Sequence, residues 1–471
     1  MKPSARLSPQ LWQRLPAALL PMAESMEGLP AARLLRLSLV QVSVGLALTL
    51  LNGTLNRVMI VEIGVPAWQV ALFIGLPLLL APVRALFGFR SDVHKSVLGW
   101  RRVPYIWFGS LALFGGLALT PMSIILLSGA GMAPATAGQA GVLLAFFLIG
   151  MGIHVTQTAA LALACDLAPE ERRPQVVAVM YVALLISMLV SALVLGAILH
   201  DFTPRRLFAA VSGSAMVVIA INLVALWKQE SRHSAPPPEA ASPSLIAAWR
   251  AFDRRGNARR LLVAIGLTTA GFNMQDVLLE PFGGEILGLT VGATTQLTAL
   301  WSLGMLAGFV LAARKLRQGT DPYLLAGAGT LIGIPAFSAL VFSGALDLPW
   351  LFRIGASAIG FGGGIASVAL LSAATALAED GRFGFAAGVW GTVQALSAGL
   401  AVGLGGLLRD LAGPLAAVTG RPDAPYAIVY HVEIALLFAA LVALGPLARR
   451  VSGPDAAAAT NAAPVLRDMP L

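Results

Sequence analysis

The sequence predicts an all-α integral membrane protein: twelve transmembrane helices in two pseudo-symmetric six-helix halves. Three observations carry that reading. The 471-residue chain is 57% hydrophobic and only 12% charged, with a mean hydropathy of +0.81, a composition that a water-exposed domain of this length cannot sustain. Its apolar residues fall into a dozen long uninterrupted runs. Its Lys and Arg residues gather in alternate connections between those runs.

A helix of about 20 residues crosses about 30 Å of hydrocarbon. Runs of that kind lie near 37–61, 67–88, 103–127, 141–165, 175–200, 206–227, 260–280, 291–313, 323–344, 350–378, 384–408 and 427–447. They are helices rather than strands, because lipid offers no partner to free backbone groups and the runs show no in-out alternation. Residues 1–36 precede the first span as an arm, with Lys2, Arg6, Arg14, Arg33 and Arg36 set among prolines and no continuous apolar stretch of a secretory signal. Segments 1–36, 89–102, 166–174, 228–260, 314–322, 379–383 and 448–471 hold 25 of the 32 Lys and Arg residues. That asymmetry predicts a cytoplasmic N-terminus and C-terminus. The net charge of +9 is therefore a topology signal, spread over short loops and unlike the single basic face of a nucleic-acid-binding domain. Cys165 stands alone, which excludes disulfides and thiolate clusters within the chain.

The connection 228–259 differs from the others. It runs through Pro236-Pro237-Pro238 into a segment where Leu245, Trp249 and Phe252 recur at helical spacing beside Arg250 and Arg254, the pattern of a helix lying on the cytoplasmic surface. It divides the spans into halves 37–227 and 260–447, with a tail at 448–471. Internal repetition agrees. A shift of 210 residues lays Gly150 and Gly152 on Gly360 and Gly362, and a shift of 219 lays Asn56-Arg57-Val58 on Gln275-Asp276-Val277.

Two such halves resemble the major facilitator superfamily, whose halves rock about a shared centre. Gly88, Asp92, Gly99, Arg101 and Arg102, between spans two and three, look like that superfamily's signature loop, at a longer spacing than usual. The resemblance implies a clasp in which an acid near a helix end binds the helix dipole and Arg partners and holds the cytoplasmic side shut. The plainer alternative is a simple positive loop. In the second half the counterpart is degraded, with Gly308, Ala312 and Arg314-Lys315. Three further stretches are more specific: NRVMIVEIGVPA from Asn56, APVRALFGFRSDVHKSVLGWRRVPYIWFG from Ala81 and QDVLLEPFGGEILGL from Gln275. These are similar to the bacteriochlorophyll-delivery branch of the superfamily, the PucC/LhaA light-harvesting complex assembly proteins of purple phototrophs. The resemblance implies a factor in the photosynthetic inner membrane that assembles bacteriochlorophyll into light-harvesting antenna polypeptides, with the core antenna favoured over the peripheral one. A reaction centre or a bacteriochlorophyll synthase are further partners it brings into view.

Polar side chains inside spans are costly and so are functional candidates. His154 shares a face of span four with Gln157, Thr158 and Gly150. It could ligate the magnesium of a bacteriochlorin beside a ring-sized gap at Gly150, or simply pack and hydrogen-bond. The repeat sets Arg57 against Asp276 as an ion pair closing the outer end of the central cleft, with Glu62 and Glu280 as competing partners. Arg84 either reaches the cytoplasmic interface or pairs with an acid. Glu280-Pro281-Phe282-Gly283-Gly284-Glu285 reads as a tight exposed turn. No nucleotide, zinc-protease or nucleophile motif is present. The chain is read as a non-enzyme with no metal centre, the alternatives being a pigment-free scaffold and a secondary transporter of a small solute.

Overall fold

The computed structural model describes residues 31–79, 102–129, 134–169, 172–227, 229, 257–377 and 383–451. Eleven of its helices are long and apolar enough to cross a membrane, and a twelfth apolar helix has 13 described residues. In chain order they are α1 (Ala32–Glu62), α2 (Ala67–Leu79), α3 (Val103–Leu127), α4 (Ala135–Leu167), α5 (Arg173–Ile198) and α6 (Pro204–Leu226). The second series is α7 (Ala258–Glu285), α8 (Val291–Arg317), α9 (Pro322–Ala345), α10 (Pro349–Ala376), α11 (Phe383–Leu411) and α12 (Ala424–Val451). The described residues contain no strand. The chain is a multi-pass membrane protein. Arg84, Gly88, Asp92, Gly99 and Arg101 lie outside the described residues, as does the amphipathic segment from Leu245.

The contacts carry the internal repeat into three dimensions. Helix α1 packs on α5 and α6 as α7 packs on α11 and α12, and α3 packs on α4 and α6 as α9 packs on α10 and α12. Likewise α2 lies on α4 and α8 on α10. Across the halves α2 meets α11 and α5 meets α8, pairings that exchange when the halves are exchanged. At the second of these seams a Cβ on Gly292 would fall 2.5 Å from the Gly196 carbonyl oxygen, so a side chain there would force the halves apart.

Local chemistry sets the helix ends. The Thr203 and Thr290 hydroxyls accept from the Arg206 and Ala293 amides at 3.2 Å, and the Asp321 carboxylate accepts from Tyr323 at 2.8 Å, capping α6, α8 and α9. Pro446 inside α12 deprives the Val442 carbonyl of its helical donor. Arg260 of α7 supplies the replacement, donating to the Val442 oxygen at 3.1 Å and the Ala443 oxygen at 2.8 Å. Arg33, at the start of α1, donates to the backbone and side chain of Gln229 just beyond α6, and Gln229 returns a bond to the Arg33 carbonyl at 3.3 Å. Outward-facing positions such as Phe108, Met122, Phe438 and Val442 are apolar and exposed, a surface suited to lipid rather than water.

Candidate functional site

The first helix of each half loses regular geometry at repeat-related positions. Helix α1 widens into π turns over Thr49–Leu55 and Val58–Glu62. Helix α7 tightens into a 3-10 turn at Met274–Val277 before a last helical segment, Leu279–Glu285. These stretches face each other at the end of the bundle away from the termini, here termed the distal end. Fully buried Asn56 donates to the Asp276 carbonyl at 3.3 Å and to the Glu280 carboxylate at 3.4 Å. Glu280 also accepts from the Thr298 hydroxyl of α8 at 2.7 Å, and Thr54 and Thr295 hydroxyls meet at 3.2 Å.

Arg57 does not pair with Asp276. Its guanidinium binds Glu62, five residues on, and donates to the Leu289 carbonyl at 3.1 Å. The π turn explains the choice, since its i to i+5 closure brings residues 57 and 62 onto one face. Asp276 instead accepts from the Gln275 side chain at 2.7 Å. Arg57 nevertheless bridges the halves, lying beneath Gly284, where an added Cβ would come within 3.0 Å of the guanidinium.

The Glu280–Glu285 stretch is helical rather than a turn, and Leu279, Glu280, Pro281, Phe282 and Gly283 are buried, with only its end at Glu285 exposed. Pro281 sits in its first turn, where no amide donor is missed. Phe282 packs with ring centroids 5.1, 5.4 and 5.6 Å from Phe352, Tyr426 and Tyr430, which outweighs the turn signal of the two glycines. Glu285 accepts from Arg409 at 2.6 Å and from the Tyr426 hydroxyl at 2.7 Å. Asp410, which also binds Arg409, accepts from the Trp68 amide at 2.8 Å and so fastens the start of α2 to the end of α11.

His154 donates from Nε2 to the Pro77 carbonyl of α2 at 3.0 Å. A Cβ on Gly150 would fall 2.1 Å from the Pro77 Cβ. The gap expected for a flat ring is filled by α2, and the packed alternative fits this histidine. Gln157 reaches Gln41 of α1 at 3.5 Å, and Thr158 is partly buried beside it. Arg102 pairs with Asp166 at 3.0 Å, joining the start of α3 to the end of α4. This arm of the expected clasp therefore ties neighbours within the first half.

A small, partly open cleft of about 90 Å³ lies between α7, α8, α10 and α11 on the terminal side of the Asp276–Glu280 junction. Phe272, Trp301 and Trp390 give it aromatic faces, and Asn273, Gln394 and Thr268 give it neutral polar groups. Among the described residues no charged side chain lines it. The buried Thr268 hydroxyl has no hydrogen-bond partner among the described residues.

The family model described as PUCC protein matches residues 54–452. The chain belongs to the PUCC protein family. Protein PucC of Rhodovulum sulfidophilum is 50% identical over 399 residues, covering 83% of this chain and 88% of that one. An uncharacterized protein of the puhA-bchM intergenic region of Rhodobacter capsulatus is 49% identical over 439 residues, covering 91% and 92%. Among solved structures, a peptide transporter POT in complex with sulfate superposes with a TM-score of 0.66 at 14% identity, covering 92% of this chain and 99% of the transporter. At that identity the likeness establishes the fold, the major facilitator architecture expected from the paired halves.

Sequence reasoning missed several side chains that the structure draws into the buried polar contacts of this PUCC-family chain. Glu433 is fully buried in α12, accepting from the Gln275 amide at 2.7 Å. Its signal was legible, a lone carboxylate within an apolar run. Asp166, Tyr426 and Arg409 gave no such signal, because their significance lies in partners on distant segments. The cleft aromatics were also invisible, since Trp and Phe in a membrane helix look alike whether they face lipid or a cavity.

Proposed function

We propose that this PUCC-family chain is a non-catalytic assembly factor for light-harvesting antenna complexes. In this reading it sits in the photosynthetic inner membrane with both termini cytoplasmic, holds bacteriochlorophyll against the open side of the cleft between α7, α8, α10 and α11, and meets antenna polypeptides, the core antenna foremost, along its lipid-facing helices. The supporting observation is the cleft's chemistry. A large flat chlorin needs aromatic walls and a few neutral donors for its carbonyls. Phe272, Trp301 and Trp390 supply the first, and the buried Thr268 hydroxyl with Asn273 and Gln394 supplies the second. The neutral oxygens of Asn273 and Gln394 are the groups available to a magnesium ion, whereas His154 is engaged with Pro77.

The test is absorption of protein purified gently from pigment-making cells. Near-infrared bands are expected in the wild type and in His154→Leu, with loss of most of the signal in Trp301→Ala/Trp390→Ala. A colourless wild type that retains antenna polypeptides would replace this reading with a pigment-free scaffold.

A further inference from the structure

Helix α12 turns its polar side chains inward with one exception. Tyr426, Tyr430 and Glu433 are buried, whereas His431 is exposed on the outer face with Ala435, Phe438 and Val442. The Arg421–Asp423 ion pair stands just before the helix and marks its distal polar edge. His431 follows Ala424, the first residue of the span, by about 10 Å at 1.5 Å of rise per residue. An imidazole at that depth is costly, because hydrocarbon offers its ring nitrogens no partner. An ionisable side chain kept on such a surface points to a guest that uses it.

The ring's own hydrogen bond decides what it offers. A carbonyl oxygen only accepts, so the 2.6 Å contact between Nδ1 and the Ala427 oxygen puts a proton on Nδ1. A neutral imidazole in that tautomer carries a bare lone pair at Nε2, and no donor among the described residues meets it. Tying one ring nitrogen to a carbonyl is also what fixes the tautomer and orientation of a metal-ligating histidine and raises the basicity of the other nitrogen. His154 is the reverse case, its Nε2 being spent on the Pro77 carbonyl.

A single nitrogen selects a particular guest. A free metal ion needs several protein donors, and among the described residues no group of three or more His, Cys, Asp or Glu side chains is arranged to hold one. A metal already held in a tetrapyrrole plane needs only an axial donor. The surroundings suit a flat apolar molecule. Ala427 and Ala435, one turn to either side of His431, keep the helix surface low, and Phe438, 53% exposed, offers an aromatic ring one turn beyond Ala435. We infer that His431 is an axial ligand for a metal-bearing chlorin held on the lipid-facing surface of α12. The class of guest rests on the proposed function, whereas the site uses none of the cleft's residues. A chlorin bound there keeps its outer face open to the bilayer, where a neighbouring transmembrane polypeptide can take it.

The test is titration of tag-free, pigment-free protein in lipid nanodiscs with a zinc chlorin, whose Soret band moves to the red when an imidazole binds the metal. A His94→Gln/His200→Gln/His233→Gln background removes the histidines outside the spans. The shift is expected in that background and is expected to vanish in His431→Leu, with binding weaker by about tenfold or more. Added imidazole is expected to restore it in His431→Gly, which keeps the inference testable should the leucine variant fold poorly. A metal-free chlorin is expected to bind equally with and without His431→Leu. Trp301→Ala/Trp390→Ala is expected to keep the shift, so a failure of the cleft leaves this site visible. A shift absent from the background protein, or undiminished in His431→Leu, would overturn the inference. So would an equal loss of metal-free chlorin in His431→Leu, which would make position 431 a packing surface only. A shift lost in Trp301→Ala/Trp390→Ala but kept in His431→Leu would overturn it in favour of ligation in the cleft.

Discussion

Helices α1 and α7 occupy equivalent places in the two halves, yet one departs from α geometry by widening and the other by tightening. The widened helix contributes the arginine and an asparagine; the tightened one contributes two carboxylates. The fold thus places a break at corresponding heights in both halves, while the side chains at each break divide the electrostatic roles. Pseudo-symmetry fixes where chemistry is concentrated, and sequence divergence decides which sign it has.

The sharpest way to break this division is to remove its cation. Arg57→Leu leaves Glu62 and the Leu289 carbonyl without their donor at the seam, and is expected to lower unfolding free energy in detergent by about 3 kcal/mol, the lower end of the range for breaking a buried pair. Glu62, its partner, is 37% exposed, so Glu62→Gln should cost less than about 1 kcal/mol in the same measurement. Equal losses would mean that Arg57 acts only through Glu62 and not across the halves. Between these extremes, Gly292→Leu drives a side chain against the Gly196 backbone. It should cost about 1–3 kcal/mol and weaken the α5–α8 seam while leaving the Arg57 site intact, which separates packing from charge. Glu62→Gln apart, the smallest expected effect is that of His154→Leu, which gives up the hydrogen bond to Pro77. That is worth about 1 kcal/mol, and the substitution should leave pigment recovery unchanged.

The spans were legible because hydropathy and length act locally, and among the described residues the predicted runs coincide with helices to within several residues. Which partner Arg57 takes was not, since it depends on a π turn that alters the facing of residues 57 and 62. The Pro281 and Gly283-Gly284 signal misled for a related reason: turn propensity is local, whereas Phe282 is held by rings from α10 and α12. The Gly150 gap failed because the residue that fills it, Pro77, comes from another helix.

The bond between Arg33 and Gln229 joins the first half's entrance to its exit. Mechanically this makes that half a closed ring, with the amino-terminal arm and the long connection departing from one shared anchor. A partner tugging on either strand would load the same knot, so force applied to one is felt by the other without passing through the bundle.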